Sequence, residues 1–91
     1  MLVISGTMNV EPSDRDALLE ASKAVMADTL KEDGCHAYSF TPDILDPGVV
    51  HIFEKWESEA HLAPHITRIA SKRKSKRALA GGMTIGPFVR V

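Results

Sequence analysis

Two runs of alternating residues, Cys35 to Ile44 and Val49 to Glu57, stand on either side of Asp46-Pro47-Gly48. Proline presets one turn dihedral and glycine permits positive φ, so the tripeptide folds the chain back and the runs pair as an antiparallel hairpin. In the first run His36, Tyr38 and Phe40 share one face, opposite Cys35, Ala37 and Ser39. In the second, Val50, Ile52, Glu54 and Trp56 oppose Val49, His51, Phe53 and Lys55, so large apolar groups lie on both faces. Such two-sided burial describes a central strand, with helices against one face and a different cover over the other.

The flanking segments supply the rest of a layer. Leu2, Ile4, Gly6, Met8 and Val10 alternate with Val3, Ser5, Thr7 and Asn9, which predicts a first strand. After Glu11-Pro12, Ser13 and Asp16 have the spacing of a capping box, and Leu18, Leu19, Ser22, Val25, Met26, Thr29 and Leu30 recur at helical spacing. A helix from about residue 14 to 31 follows, with Arg15, Glu20, Lys23 and Asp28 on its exposed face and Gly34 just past its end. Ser58 caps a second helix, Pro64 marks a break or a fresh first turn, and Ile66, Ile69 and Ala70 carry the apolar stripe to Gly81-Gly82. Met83, Ile85, Phe88, Val89 and Val91 form a last strand, with Gly86-Pro87 suited to a bulge or an edge.

Strand, helix, strand, strand, helix, strand is the split βαβ order of an α+β ferredoxin-like fold with an antiparallel sheet. Ninety-one residues, 44% of them hydrophobic and 25% charged, suit one domain spanning 1–91 with one modest core. With helices on one sheet face only, the opposite face exposes apolar side chains, and a homodimer formed through that face is the expected remedy. A net charge of -1 creates no field that would draw nucleic acid or an anionic membrane. Cys35 has no partner for an internal disulfide, and the first residues lack the basic segment and long apolar run of a leader, so a cytoplasmic protein is expected.

Glu32-Asp33-Gly34-Cys35-His36-Ala37-Tyr38, then Asp46-Pro47-Gly48, then Phe53-Glu54-Lys55-Trp56, then His65 together resemble the antibiotic biosynthesis monooxygenase family. The family's pattern is an acidic residue, a variable one, glycine and cysteine, then tyrosine, a turn, a glutamate-x-tryptophan strand and a histidine. Over residues 32 to 65 the match is in order, and the flanking elements fit. The resemblance implies a dimeric α/β barrel, two sheets packed face to face. Among such relatives are proteins that oxidise phenolic or quinol rings without metal or flavin, proteins that degrade haem, and proteins that handle small signalling molecules. The haem-degrading branch needs a tryptophan near the position of His65 and an axial histidine farther on, where this chain has Ser75 among positive charges.

The resemblance therefore implies a cofactor-independent monooxygenase acting on a small quinol or phenolic ring. That chemistry asks for an electron-rich substrate, a group to take its phenolic proton, and a dry pocket where the anion meets O2. His65, near a helix start where the dipole favours a neutral imidazole, is the candidate base. Trp56 is a candidate aromatic wall, and Tyr38 and Asn9 are candidate polar orienters. The plainer reading makes Trp56, Tyr38 and Phe53 core and interface aromatics, Glu54 a partner in a salt bridge or backbone bond, and Cys35 a small buried apolar residue. His61 and His65 alone are too few for a metal site. Lys72 to Arg77 reads as a solvated helix face. The alternative function is a non-catalytic dimeric module of the same fold, binding a small ligand or a partner, which predicts a narrow or closed pocket without convergent polar groups.

Overall fold

The computed structural model describes residues 1–76 and 84–91. Strands β1 (Leu2–Asn9), β2 (Cys35–Pro42), β3 (Val49–Trp56) and β4 (Thr84–Arg90) form one antiparallel sheet in the order β2-β3-β1-β4. Helices α1 (Arg15–Leu30) and α2 (Glu59–Lys76) complete the ferredoxin-like α+β order. Ile4 pairs with Glu54, Gly6 with Ile52 and Met8 with Val50, while Tyr38 and Phe40 of β2 face Glu54 and Ile52. On the other flank of β1, Gly6 pairs with Phe88 but Met8 with Ile85, and this slip in the register accommodates Gly86-Pro87 on an edge strand, as expected. The end of the second helix at Gly81-Gly82 and the place of Met83 lie outside the described residues, as do the side chains of 69–76 and 84–87.

Both helices cover the same face. Leu62 of α2 closes a cluster with Ile4 and Trp56, while Leu18 and Leu19 of α1 pack on Met8, Val50 and Ile52. No described helix lies on the opposite face, and Phe53 remains 42% exposed between Ser5 and Ser39 in neighbouring strands. No described helix is long and apolar enough to cross a membrane.

Several local expectations change. Ser13 forms no capping box, because Pro12–Asp14 is a short 3-10 turn and Asp14, with helical dihedrals, takes the cap position without a side-chain bond. A residue already in helical geometry cannot turn its oxygen back onto the first amides. Pro64 neither breaks nor restarts α2, which runs through it. It is the sixth residue of α2, beyond the first turn, so the helix holds despite the missing i to i−4 bond, and Ser58 fixes the start by accepting the His61 amide at 3.3 Å. Arg15 is not a solvated residue: its Nη1 donates to the carbonyls of Asp43, Asp46 and Val49 at 3.1, 2.8 and 3.3 Å, tying α1 to the hairpin loop. The second strand ends at Pro42 rather than Ile44, because Asp43 Oδ2 accepts the amides of Leu45 and Asp46 and turns the chain early.

Gly34 brings α1 back to the sheet with φ at 80°, and a Cβ there would collide with the His61 ring. Left-handed backbone costs an L-residue about 1–2 kcal/mol before any collision. Gly34→Ala is therefore expected to lose at least that much stability, seen as a thermal midpoint lower by about 4–8 °C per kcal/mol in a domain of this size.

Candidate active site

Period two along β3 sends Glu54 and Trp56 toward the helices, and helical spacing puts Leu62, His65 and Ile66 on the sheet side of α2. His65 is buried at 4% exposure, and Trp56 is fully buried beneath it. The indole and imidazole centroids are 4.9 Å apart at an interplanar angle of 38°, and Tyr38 meets the imidazole edge-on at 5.1 Å. Held between two rings, the imidazole has little rotational freedom.

Its two nitrogens face different carboxylates. Nδ1 lies 3.0 Å from Glu32 Oε2, and Nε2 lies 3.7 Å from Glu54 Oε1. Glu32 comes from the turn closed by Gly34, and Arg68, one turn beyond His65, grips it through Nε to Oε1 at 3.0 Å and Nη2 to Oε2 at 3.1 Å. The same Nη2 donates to Thr29 Oγ1 at 2.9 Å, and Thr29 is fully buried at the end of α1. Burial pulls the Glu32 carboxyl upward, but hydrogen bonds from Arg68 and His65 outweigh it and hold the group below its ordinary value. Glu32 in turn raises Arg68 above the usual guanidinium value. An anionic acceptor at Nδ1 favours a proton on that nitrogen, and a ring in that tautomer has its lone pair at Nε2.

The depressed Glu32 value makes a stability prediction with a definite sign. The folded state binds this proton less readily than the unfolded chain, so the contribution is complete above the ordinary carboxylate value of 4.5 and disappears as pH falls through the lower folded value. Urea midpoints taken from neutral pH downward should be flat at first and then drop. Glu32→Gln should be less stable at neutral pH and should drop less steeply in acid.

Between α2 and the sheet is a cavity of about 250 Å³. Ile4, Phe40, Ile52, Leu62 and Phe88 form its apolar walls, with Tyr38, Glu54 and His65 as polar groups. Ile66 and Arg90, both partly exposed, stand at its mouth, and Arg90 pairs with Glu59 of α2 at 3.1 Å. The volume is below the roughly 300–1,000 Å³ of pockets for drug-sized ligands, which suits a small ring.

His65 and Tyr38 thus reach the cavity. Trp56 does not line it; the indole forms the floor under His65 and donates Nε1–H to Glu54 Oε1 at 3.0 Å. Asn9 is a correction: it is exposed and, by strand alternation, shares a face with Val3, Ser5 and Thr7, away from the helix side where Ile4 and Met8 are buried. Glu54 accepts the Trp56 indole N–H and lies 3.7 Å from His65 Nε2, an ion pair whenever that imidazole is charged, and it also joins the cavity lining. Cys35 is half-buried, and burial together with the charges of Glu32 and Glu54 pushes its thiol up, which suits a packing role. Sequence reasoning missed Glu32 and Arg68, although the three-residue spacing of His65 and Arg68 pointed to a shared helix face. Among the described residues, no three His, Cys, Asp or Glu side chains are grouped to hold a metal ion.

Fold and site together define a small ferredoxin-like protein with an acid–base cavity beneath its second helix. The chain belongs to the antibiotic biosynthesis monooxygenase family, whose model matches residues 1–72. It is 30% identical to the probable quinol monooxygenase YgiN of Escherichia coli over 76 aligned residues, covering 72% of this chain and 73% of that one. A conserved protein of Methanosarcina mazei has the same fold, with a TM-score of 0.81 at 19% identity over 99% of this chain and 89% of that one. A conserved protein of Bacteroides thetaiotaomicron superposes with a TM-score of 0.77 at 24% identity, over 99% and 96% of the two chains.

Proposed function

We propose that the protein is a cofactor-independent monooxygenase that oxidises a small quinol or phenolic ring with O2 in the cavity under α2. The observation that carries this reading is His65, whose Nδ1 faces Glu32 while the residue lines a cavity with mainly apolar walls. His65 Nε2 takes the phenolic proton, and Glu32, held by Arg68, stabilises the resulting imidazolium. Apolar walls leave the phenolate poorly solvated, which favours electron release to O2, itself an apolar solute. For a quinol the balance closes without another reductant. Quinol and O2 give a hydroxyquinone and water, the ring supplying all four electrons, one oxygen atom entering the product and the other leaving as water.

Kinship with YgiN supports the substrate class. An open cavity with convergent polar groups speaks against the alternative of a non-catalytic module. Oxygen uptake by metal-free protein, measured over a panel of para- and ortho-dihydroxy rings, tests the proposal; uptake above buffer that depends on protein concentration is expected, and none across the panel refutes it.

The reading includes a homodimer formed across the bare sheet face, where Phe53, Val89 and Val91 are 42%, 63% and 80% exposed. Sedimentation should give a dimer at micromolar concentration, and Phe53→Glu should shift it to monomer. A cytoplasmic location belongs to the same reading, supported by a lone cysteine.

A further inference from the structure

The pairing of acceptors in the cavity bears on which hydroxylated ring it takes. In the neutral ring that carries its proton on Nδ1, as a base must before it acts, His65 has its lone pair at Nε2, and Glu54 Oε1 lies 3.7 Å away. In that form the two are both acceptors and make no bond to each other. Glu54 is 92% withdrawn from solvent, its residue being 8% exposed, and among the described residues its one hydrogen-bond donor is Trp56 Nε1. A carboxylate has room for several donors, so acceptor capacity remains on the cavity side. The site therefore has two neighbouring acceptors set among apolar walls, and the complementary ligand carries two neighbouring donors on an otherwise apolar body.

We propose that the cavity selects aromatic rings with adjacent hydroxyl groups, one hydroxyl donating to His65 Nε2 and the other to the Glu54 carboxylate, with Glu54 as the residue that sets this preference. The oxygens of an ortho-dihydroxy ring are neighbours on one edge, close enough for each to donate to one of two acceptors 3.7 Å apart. The oxygens of a para-dihydroxy ring point to opposite ends of the molecule and cannot engage both. In a para isomer bound through His65, the second hydroxyl is directed at the apolar walls or out of the mouth, and Glu54 keeps unmet capacity in a desolvated setting, which is costly. This inference rests on reading the cavity as the oxygenation site, but its first readout is binding.

The test is calorimetric titration of metal-free wild-type protein with catechol and with hydroquinone, isomers of equal size, under argon so that no turnover occurs. One additional hydrogen bond to a charged acceptor is expected to favour catechol by about ten- to hundredfold in affinity. In Glu54→Gln, which keeps an oxygen for the Trp56 indole but loses the anionic acceptor, the gap should close to within about threefold. Equal affinity of the isomers for wild type, tighter binding of hydroquinone, or no binding of either overturns the inference, whether or not the variant folds. An undiminished catechol preference in folded Glu54→Gln overturns the role of Glu54. The two readings fail separately: a catechol preference without oxygen uptake removes the oxygenase reading alone, and oxidation of quinols by a site that binds both isomers alike removes this one alone.

Discussion

Replacing His65 by glutamine should lower kcat for quinol oxidation by about 10²–10⁴-fold, the usual contribution of a positioned general base, while KM changes far less. Glutamine is of similar length and polarity and can still bond to Glu32, so packing between Trp56 and Tyr38 is largely kept and proton acceptance is lost. The comparison between variants carries the mechanism. His65→Ala leaves a space beside Glu32, and added imidazole should restore part of its activity if the ring's role is to accept a proton. Glu32→Gln leaves the imidazole in place but removes the anion at Nδ1, 3.0 Å away, so its loss should be smaller than that of His65→Gln and should also fall on kcat. Stopped-flow or steady-state oxygen uptake separates kcat from KM. A His65→Gln protein with full activity would remove the base from the mechanism.

Trp56→Ala should be the most destabilising single change in the molecule. The side chain is fully buried, supports His65, and packs in one cluster with Ile4 and Leu62. Truncating a buried tryptophan costs about 3–5 kcal/mol, and the Glu54 carboxylate then loses its indole donor, worth a further 1–3 kcal/mol or so. Against a total of about 5–15 kcal/mol for ordinary domains, the variant is expected to be largely unfolded or close to it at room temperature. Trp56→Phe separates the two effects, because it keeps much of the ring and removes only the donor, so a loss nearer 1–3 kcal/mol is expected. Urea unfolding followed by circular dichroism measures both, Trp56 being the sole tryptophan and lost as a fluorophore. If the two variants were equally stable, packing would not be what this indole supplies.

The strands and their faces were legible because alternation is local. The Asp46-Pro47-Gly48 turn and the two-sided β3 required only the rule that neighbours on a strand point in opposite directions. The same rule, applied to β1, already sets Asn9 with Ser5 and Thr7 rather than with Ile4 and Met8, so its misassignment to the cavity was avoidable. Local propensity makes Pro64 a break, whereas α2 runs through it because Leu62 and His65 on either side are buried against the sheet, a tertiary gain that propensity does not contain. Periodicity places Arg15 on the solvent-facing side of α1, because its target, three carbonyls about thirty residues away, is created only by folding.

The site shows the same division. His65 stood out by residue type and Tyr38 by strand parity, whereas the helix start expected at Pro64 lies at Glu59, so His65 is the seventh residue of α2 and beyond the reach of the N-terminal dipole. Glu32, 33 residues from His65 in sequence, had no local signature beyond preceding Gly34; it reaches the imidazole because Gly34 turns the chain there with φ at 80°. In the family pattern that this chain resembles, the acidic residue and the histidine appear as separate elements, and folding makes them partners. The role of Glu54 depended on the same kind of information, since a strand carboxylate becomes chemically interesting only when a cavity opens in front of it.

The most direct measurement is the fate of oxygen atoms. Metal-free protein supplied with an oxidisable quinol under ¹⁸O2 should yield a hydroxyquinone carrying one labelled atom, with the second label in water and little hydrogen peroxide, and His65→Gln should form that product far more slowly. Unlabelled quinone with stoichiometric peroxide, or labelled product formed at the same rate by His65→Gln, would contradict an oxygenase that relies on a histidine base.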